Sequence, residues 1–206
     1  MSAQSPDPTE PGVRARFCQE WLALIAKEED PYRARFFERV TPEMRAQIDG
    51  ASRVAWLPIA LHVKMADIQL ETFGIARAHD YYRRAFVSAI NGPVFASLFV
   101  TAARVMGMSP AAFARWASRG YEAAFRNVGT LEGEVLGPNR ARLTFLNLPA
   151  VCTASDAWVM STQGSTYGVY DILKLDGVVR LDTEERAKGK MVLEMEWGER
   201  KKGEGA

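Results

Sequence analysis

Histidine and cysteine are the scarcest of the reactive side chains in this sequence, and their scarcity removes most familiar site chemistries. Two histidines, His62 and His79, exclude any centre that needs three imidazoles, such as a three-histidine zinc site. The same count sets aside the His79-Asp80 doublet as a phosphohydrolase metal motif, which requires further histidines. Two cysteines, Cys18 and Cys152, stand alone, in no Cys-x-x-Cys frame. They read as reduced thiols of an intracellular protein, neither a disulfide framework nor a metal knuckle. No GxxxxGK[ST], no GxGxxG after a strand and no GxSxG elbow occurs. No apolar run reaches the roughly 18 residues of a membrane span, and the polar start MSAQSPDPTEPG is not a secretion signal. Charge of one sign is missing too: the net charge of +1 gives no field for non-specific nucleic-acid binding. These absences predict a cytoplasmic chain with no catalytic residue, no metal site, no membrane span and no nucleic-acid partner.

What the sequence has is pattern. Its 206 residues, 48% apolar, fit one domain with a substantial core. Residues 1–12 and 199–206 are polar and read as disordered tails. The residues between them, 13–198, read as a single α+β domain, mainly helical over 13–127 and ββαββ over 128–198.

In the helical half, Phe17, Trp21, Leu24 and Ile25 make one stripe of a helix from Val13 to Lys27. Pro31 and Pro42 open two short helices. From Pro58 to Phe73, Ile59, Val63, Ala66, Leu70 and Phe73 repeat at helical spacing, opposite Lys64, Asp67 and Glu71, and Gly74 is placed to end the helix. A further helix covers about 76–90. Pro93 to Met106 is nearly all apolar and predicts a buried central helix. Ser109-Pro110 then starts a helix running to about Asn127.

From Gly129 the period changes to two. Leu131 and Val135 alternate with Glu132 and Glu134; Ala141, Leu143 and Phe145 alternate with Arg142 and Thr144. Val179 with Leu181, and Met191, Leu193, Met195 and Trp197, mark a second hairpin. A helix over about 155–175 lies between the hairpins, and its small residues Ser161, Gly164, Ser165 and Gly168 suit close packing. The expected fold is a helical N-terminal half packed on a C-terminal ββαββ antiparallel layer.

Helical geometry turns His62 inward with Ala66 and Phe73, and sets His79 on the face of Tyr82 and Phe86. With Trp158 and Tyr167 of the inter-hairpin helix, these seven form the candidate ligand-binding set: His62, Phe73, His79, Tyr82, Phe86, Trp158 and Tyr167. The bland alternative for each is ordinary core packing. Tyr81-Tyr82-Arg83-Arg84 reads as a solvated helix edge rather than a stacking platform, and Arg115, Arg119 and Arg126 as surface charge.

The segments FGIARAHDYYRRAF, NGPVFASLFVTAARVMGMSP, FRNVGTLEGEVLGPNRARLTFLNLP, GSTYGVYDIL and KMVLEMEWG, in this order over about residues 74–198, carry a family likeness. The chain resembles the superfamily of haem–nitric-oxide-binding domains, 4-vinyl-reductase domains and small TRAPP subunits, and within it a family of roughly 200-residue myxobacterial proteins. The resemblance implies a non-catalytic regulatory module that holds a small apolar ligand between its helices and its sheet and signals to a partner protein. The alternative it implies is a ligand-free homodimeric interaction scaffold. Haem-binding members carry a Tyr-x-Ser-x-Arg triplet for the propionates, which is absent here, as are the cysteine clusters of some vinyl-reductase relatives. The expectation is therefore no cofactor, with haem the lesser reading and His62 or His79 its axial ligand.

Overall fold

The computed structural model describes residues 9–90 and 108–199. The apolar segment expected to form a central helix, Pro93 to Met106, lies outside the described residues. So do residues 1–8 and 200–206 of the two polar tails.

The chain is α+β, with helices filling its N-terminal half and antiparallel strands its C-terminal part. Its first element was not expected. Gly12–Arg14 is a strand, β1, and helix α1 begins after it, over Ala15–Ile25. Val13 is therefore buried in a strand rather than opening a helix. Helix α2 (Tyr32–Arg39) follows Pro31, and helix α3 (Pro42–Asp49) begins on Pro42. In α3 the Thr41 hydroxyl accepts from the Met44 N–H at 3.2 Å, a side-chain cap on a helix that starts with proline. Strand β2 (Trp56–Pro58) leads directly into α4 (Ile59–Phe73), which ends at Gly74 with φ 74°, a left-handed value that glycine adopts without a steric penalty. Helix α5 spans Ile75–Ile90. Helix α6 spans Pro110–Ala124 and is capped by the Ser109 hydroxyl, which accepts from the Ala112 N–H at 3.1 Å.

Strand β3 is only Phe125–Arg126, yet it ties distant parts of the chain together. It pairs antiparallel with β1, which pairs with β2 on its other edge. This three-stranded ribbon was invisible to periodicity because no strand in it exceeds three residues.

The second sheet is the expected pair of hairpins. β4 (Thr130–Gly137) and β5 (Arg140–Leu146) precede helices α7 (Ala150–Ala154) and α8 (Asp156–Leu173), and β6 (Leu175–Asp182) and β7 (Met191–Glu199) follow them. The spatial order is β4-β5-β7-β6, all antiparallel. Register places Leu143 opposite Leu193 and Ala141 opposite Met195, so one face is apolar. The other carries cross-strand ion pairs, including Arg142 to Glu194 at 2.9 Å and Arg180 to Glu196 at 2.8 Å.

Helix α8 packs closely on α5. A Cβ added at Gly164 would stand 2.9 Å from Tyr82 Cβ, and one at Gly168 would stand 2.9 Å from the Arg83 carbonyl oxygen. Arg83 also donates two hydrogen bonds to the Asp171 carboxylate, joining the same two helices. Tyr81 and Tyr82 are buried at 0% and 2% exposure, not on a solvated edge, because α5 is covered by α8 on one side and by α1 and α4 on another.

Candidate functional site: a cavity between helices and sheet

A cavity of about 300 Å³ lies between the helical half and the apolar face of the four-stranded sheet. Its walls come from six places. Phe17, Trp21 and Leu24 come from α1, and His62 from α4. Tyr82 and Phe86 come from α5. Phe113, Trp116 and Tyr121 of α6 face Leu131, Leu143 and Phe145 of the sheet. Trp158, Thr162, Thr166 and Val169 of α8 complete the lining. A volume of this order, mostly apolar with a few polar groups, is the ordinary form of a small-molecule site.

His62 is held by its neighbours' rings. Trp21 meets it edge-on, with centroids 4.8 Å apart, and Phe125 does the same at 6.0 Å. Its side chain is buried, and desolvation lowers its pKa to about 4, so the imidazole is neutral at physiological pH. Its Nδ1 and the Nε1 of Trp21 are buried without a hydrogen-bond partner among the described residues. A neutral imidazole with an uncommitted nitrogen is chemically able to hydrogen-bond a ligand or coordinate a metal ion. Tyr82, by contrast, is committed. Its hydroxyl donates to the Ala66 carbonyl at 3.3 Å, and burial holds its pKa above the ordinary phenol value.

Of the seven residues proposed from sequence, His62, Tyr82, Phe86 and Trp158 line this cavity. The other three sit elsewhere. His79 is half-buried against Tyr167, with ring centroids 5.2 Å apart, and Phe73 packs edge-on against Tyr32 and Tyr81. Sequence reasoning missed Trp21, Phe113, Trp116 and Phe125, whose places depend on how α1, α6 and the ribbon converge. It also treated the small residues of α8 as one packing face. Gly164 and Gly168 do meet α5, but Ser161 and Ser165 line the cavity beside Thr162 and Thr166. The i, i+1, i+4, i+5 spacing of those four hydroxyls was a legible signal of one helical face.

Neither thiol is positioned for chemistry. Cys18 and Cys152 are fully buried, and desolvation pushes both up to about 12, so they remain protonated. Among the described residues, no three His, Cys, Asp or Glu side chains are grouped to hold a metal ion. No helix among them is long and apolar enough to cross a membrane.

No family model and no curated protein matches the chain. Solved structures do. An Fe(II) unliganded H-NOX protein from K. algicida superposes with a TM-score of 0.61 at 10% identity, covering 91% of this chain and 97% of that one. A structure concerned with haem distortion in the H-NOX family gives 0.58 at 10% identity, over 94% and 98%. An oxygen-binding H-NOX domain related to soluble guanylate cyclases, in its oxygen complex, gives 0.55 at 10% identity, over 92% and 100%. The expectation that the chain takes no cofactor is corrected by these neighbours, because proteins described by their iron, haem and bound oxygen share its fold almost end to end.

Tested against haem, the cavity fits in two respects: aromatic walls for the body of a flat ring, and neutral His62 as a nitrogen donor for iron. In a third respect the described lining contributes nothing. It contains no Lys or Arg to face two carboxylates, and its one charged residue is Glu20. Cations for the carboxylates of such a ring would have to come from outside that lining. In fold, the chain is similar to these H-NOX structures, an α+β arrangement.

Proposed function

We propose that this chain is a non-catalytic sensor module that holds a largely apolar small molecule in the cavity, a haem-type ring among the candidates, and passes its state to a partner protein. The observation that carries the reading is the presence of neutral, buried His62 on the wall of an apolar cavity between the helices and the sheet. The fold shared with H-NOX proteins supports it. His62 is the residue that would coordinate or hydrogen-bond the occupant. Trp21 and Phe125 orient its ring, and Phe113, Trp116 and Phe145 keep water from it. Bound haem would supply an iron centre for a diatomic gas.

Native mass spectrometry and an absorption spectrum of the full chain, before and after titration with haemin, test this. A Soret band that His62→Ala shifts or abolishes assigns the ring and its donor. Retained mass with no visible band assigns a colourless apolar ligand. A bare dimer that ignores haemin overturns the reading in favour of the ligand-free, TRAPP-like scaffold.

A further inference from the structure

Three of the four hydroxyls on the α8 wall of the cavity, those of Ser161, Thr162 and Thr166, are biased in one direction. Ser161 donates its hydroxyl proton to the Trp158 carbonyl at 2.7 Å, Thr162 to Val159 at 2.7 Å, and Thr166 to Thr162 at 2.8 Å. Such back-bonding to the preceding helical turn engages each hydroxyl's only proton. It leaves lone pairs on each oxygen, which can accept and have nothing further to donate. Glu20, also on the lining, carries a carboxylate that accepts from Arg53 at 2.6 Å. Lys and Arg are absent from the described lining. Across from this wall, His62 Nδ1 and Trp21 Nε1 are buried without a hydrogen-bond partner among the described residues.

We infer that the α8 wall selects a ligand by its hydrogen-bond donors: the occupant is a largely apolar molecule that lays a hydroxyl, amine or amide N–H against Ser161, Thr162 and Thr166, and no carboxylate. The inference rests on the reading that the cavity holds a small molecule, and deepens it by naming the ligand's polar chemistry. A carboxylate set against these three oxygens would meet only lone pairs, and rotating one of the three hydroxyls toward it would break the helix back-bond that now uses the proton. A buried polar group left without its match weakens binding by roughly ten-fold or more. A ring bearing carboxylates would have to turn that edge away from α8.

Displacement of Nile red from the full-length protein by ten-carbon chains tests the inference: 1-decanol, decylamine, decane and decanoate, at neutral pH. Decanol and decylamine are expected to displace the dye at concentrations roughly ten-fold below decanoate. The double variant Ser161→Ala with Thr162→Val should lose that preference while still binding decane, and Thr162→Ser, which keeps the oxygen, should retain it. Thermal melts of both variants report whether they remain folded. Decanoate displacing as well as decanol, or a preference unchanged in the folded double variant, overturns the donor rule and leaves the cavity reading standing. Failure of the protein to take up Nile red, with no chain retained in native mass spectrometry, overturns the cavity reading itself and this inference with it.

Discussion

The imidazole of His62 stands perpendicular to the indole of Trp21, centroids 4.8 Å apart with an 82° angle between the planes, on one wall of the cavity. An edge-to-face pair of this kind fixes both rings without giving the imidazole a charge to balance it. The buried histidine is thus a neutral polar group stored inside an aromatic cage, and it has consequences for stability as well as for binding.

The first is a dependence on pH. The folded pKa of His62, about 4, lies below the ordinary imidazole value of 6.5, so between those values the unfolded chain binds the extra proton and the folded chain does not. Stability from this group is fully present above pH 6.5 and falls as the pH drops toward 4, by a total on the order of 3 kcal/mol. Burial also lowers the pKa of His79, with Arg83 opposing its protonation further, so it acts in the same direction. Urea unfolding at a series of pH values should show this acid limb, and His62→Leu should flatten it. An unchanged slope in the variant would place the acid sensitivity elsewhere.

Two helical glycines, one in the α5–α8 contact and one in α6, make opposite predictions. A methyl at Gly168 would press on the Arg83 carbonyl oxygen and the Phe86 ring at 2.9 Å each, backbone and packed ring that have little room to yield. Gly168→Ala should lower stability by about 1–3 kcal/mol despite the better helix propensity of alanine. At Gly120, in α6, a Cβ meets nothing within 4 Å among the described residues, so Gly120→Ala should raise stability by up to about 1 kcal/mol. Thermal melts of the two variants should move in opposite directions.

Ser155 joins the helical half to the layer. Its hydroxyl oxygen accepts from the Trp158 N–H at 3.0 Å, capping α8, while its proton goes to Asp67 of α4 at 2.5 Å. Ser155→Ala removes both, and the expected loss is about 2 kcal/mol, the upper end for a cap alone. Asp67→Asn keeps a side-chain oxygen for the proton and should lose less. Equal losses in chemical denaturation would argue that the link to α4 carries the effect and the cap little.

Much of the architecture was legible because long elements write their period into sequence. The spacing of Ile59, Val63, Ala66 and Phe73, the Gly74 stop and the Ser109-Pro110 start gave α4 and the beginning of α6 to within a residue or two. The alternation of Ala141, Leu143 and Phe145 against Arg142 and Thr144 gave β5 and its buried face. The ribbon of β1, β2 and β3 left no such trace, since two or three residues cannot show a period and their pairing partners lie more than 40 positions apart.

Composition and local pattern alone determined that this chain has only two histidines and two cysteines, that His62 turns inward, and that two hairpins flank a helix. Only the tertiary structure decided which inward residues meet. It brought Trp21, His62, Phe125 and the hydroxyl face of α8 to one cavity and sent Phe73, His79 and Tyr167 to other contacts. The reason is physical: helical periodicity fixes the side of its own helix on which a residue lies, whereas the close approach at Gly164 and Gly168 and the pairing of β1 with β3 fix which helices that side faces.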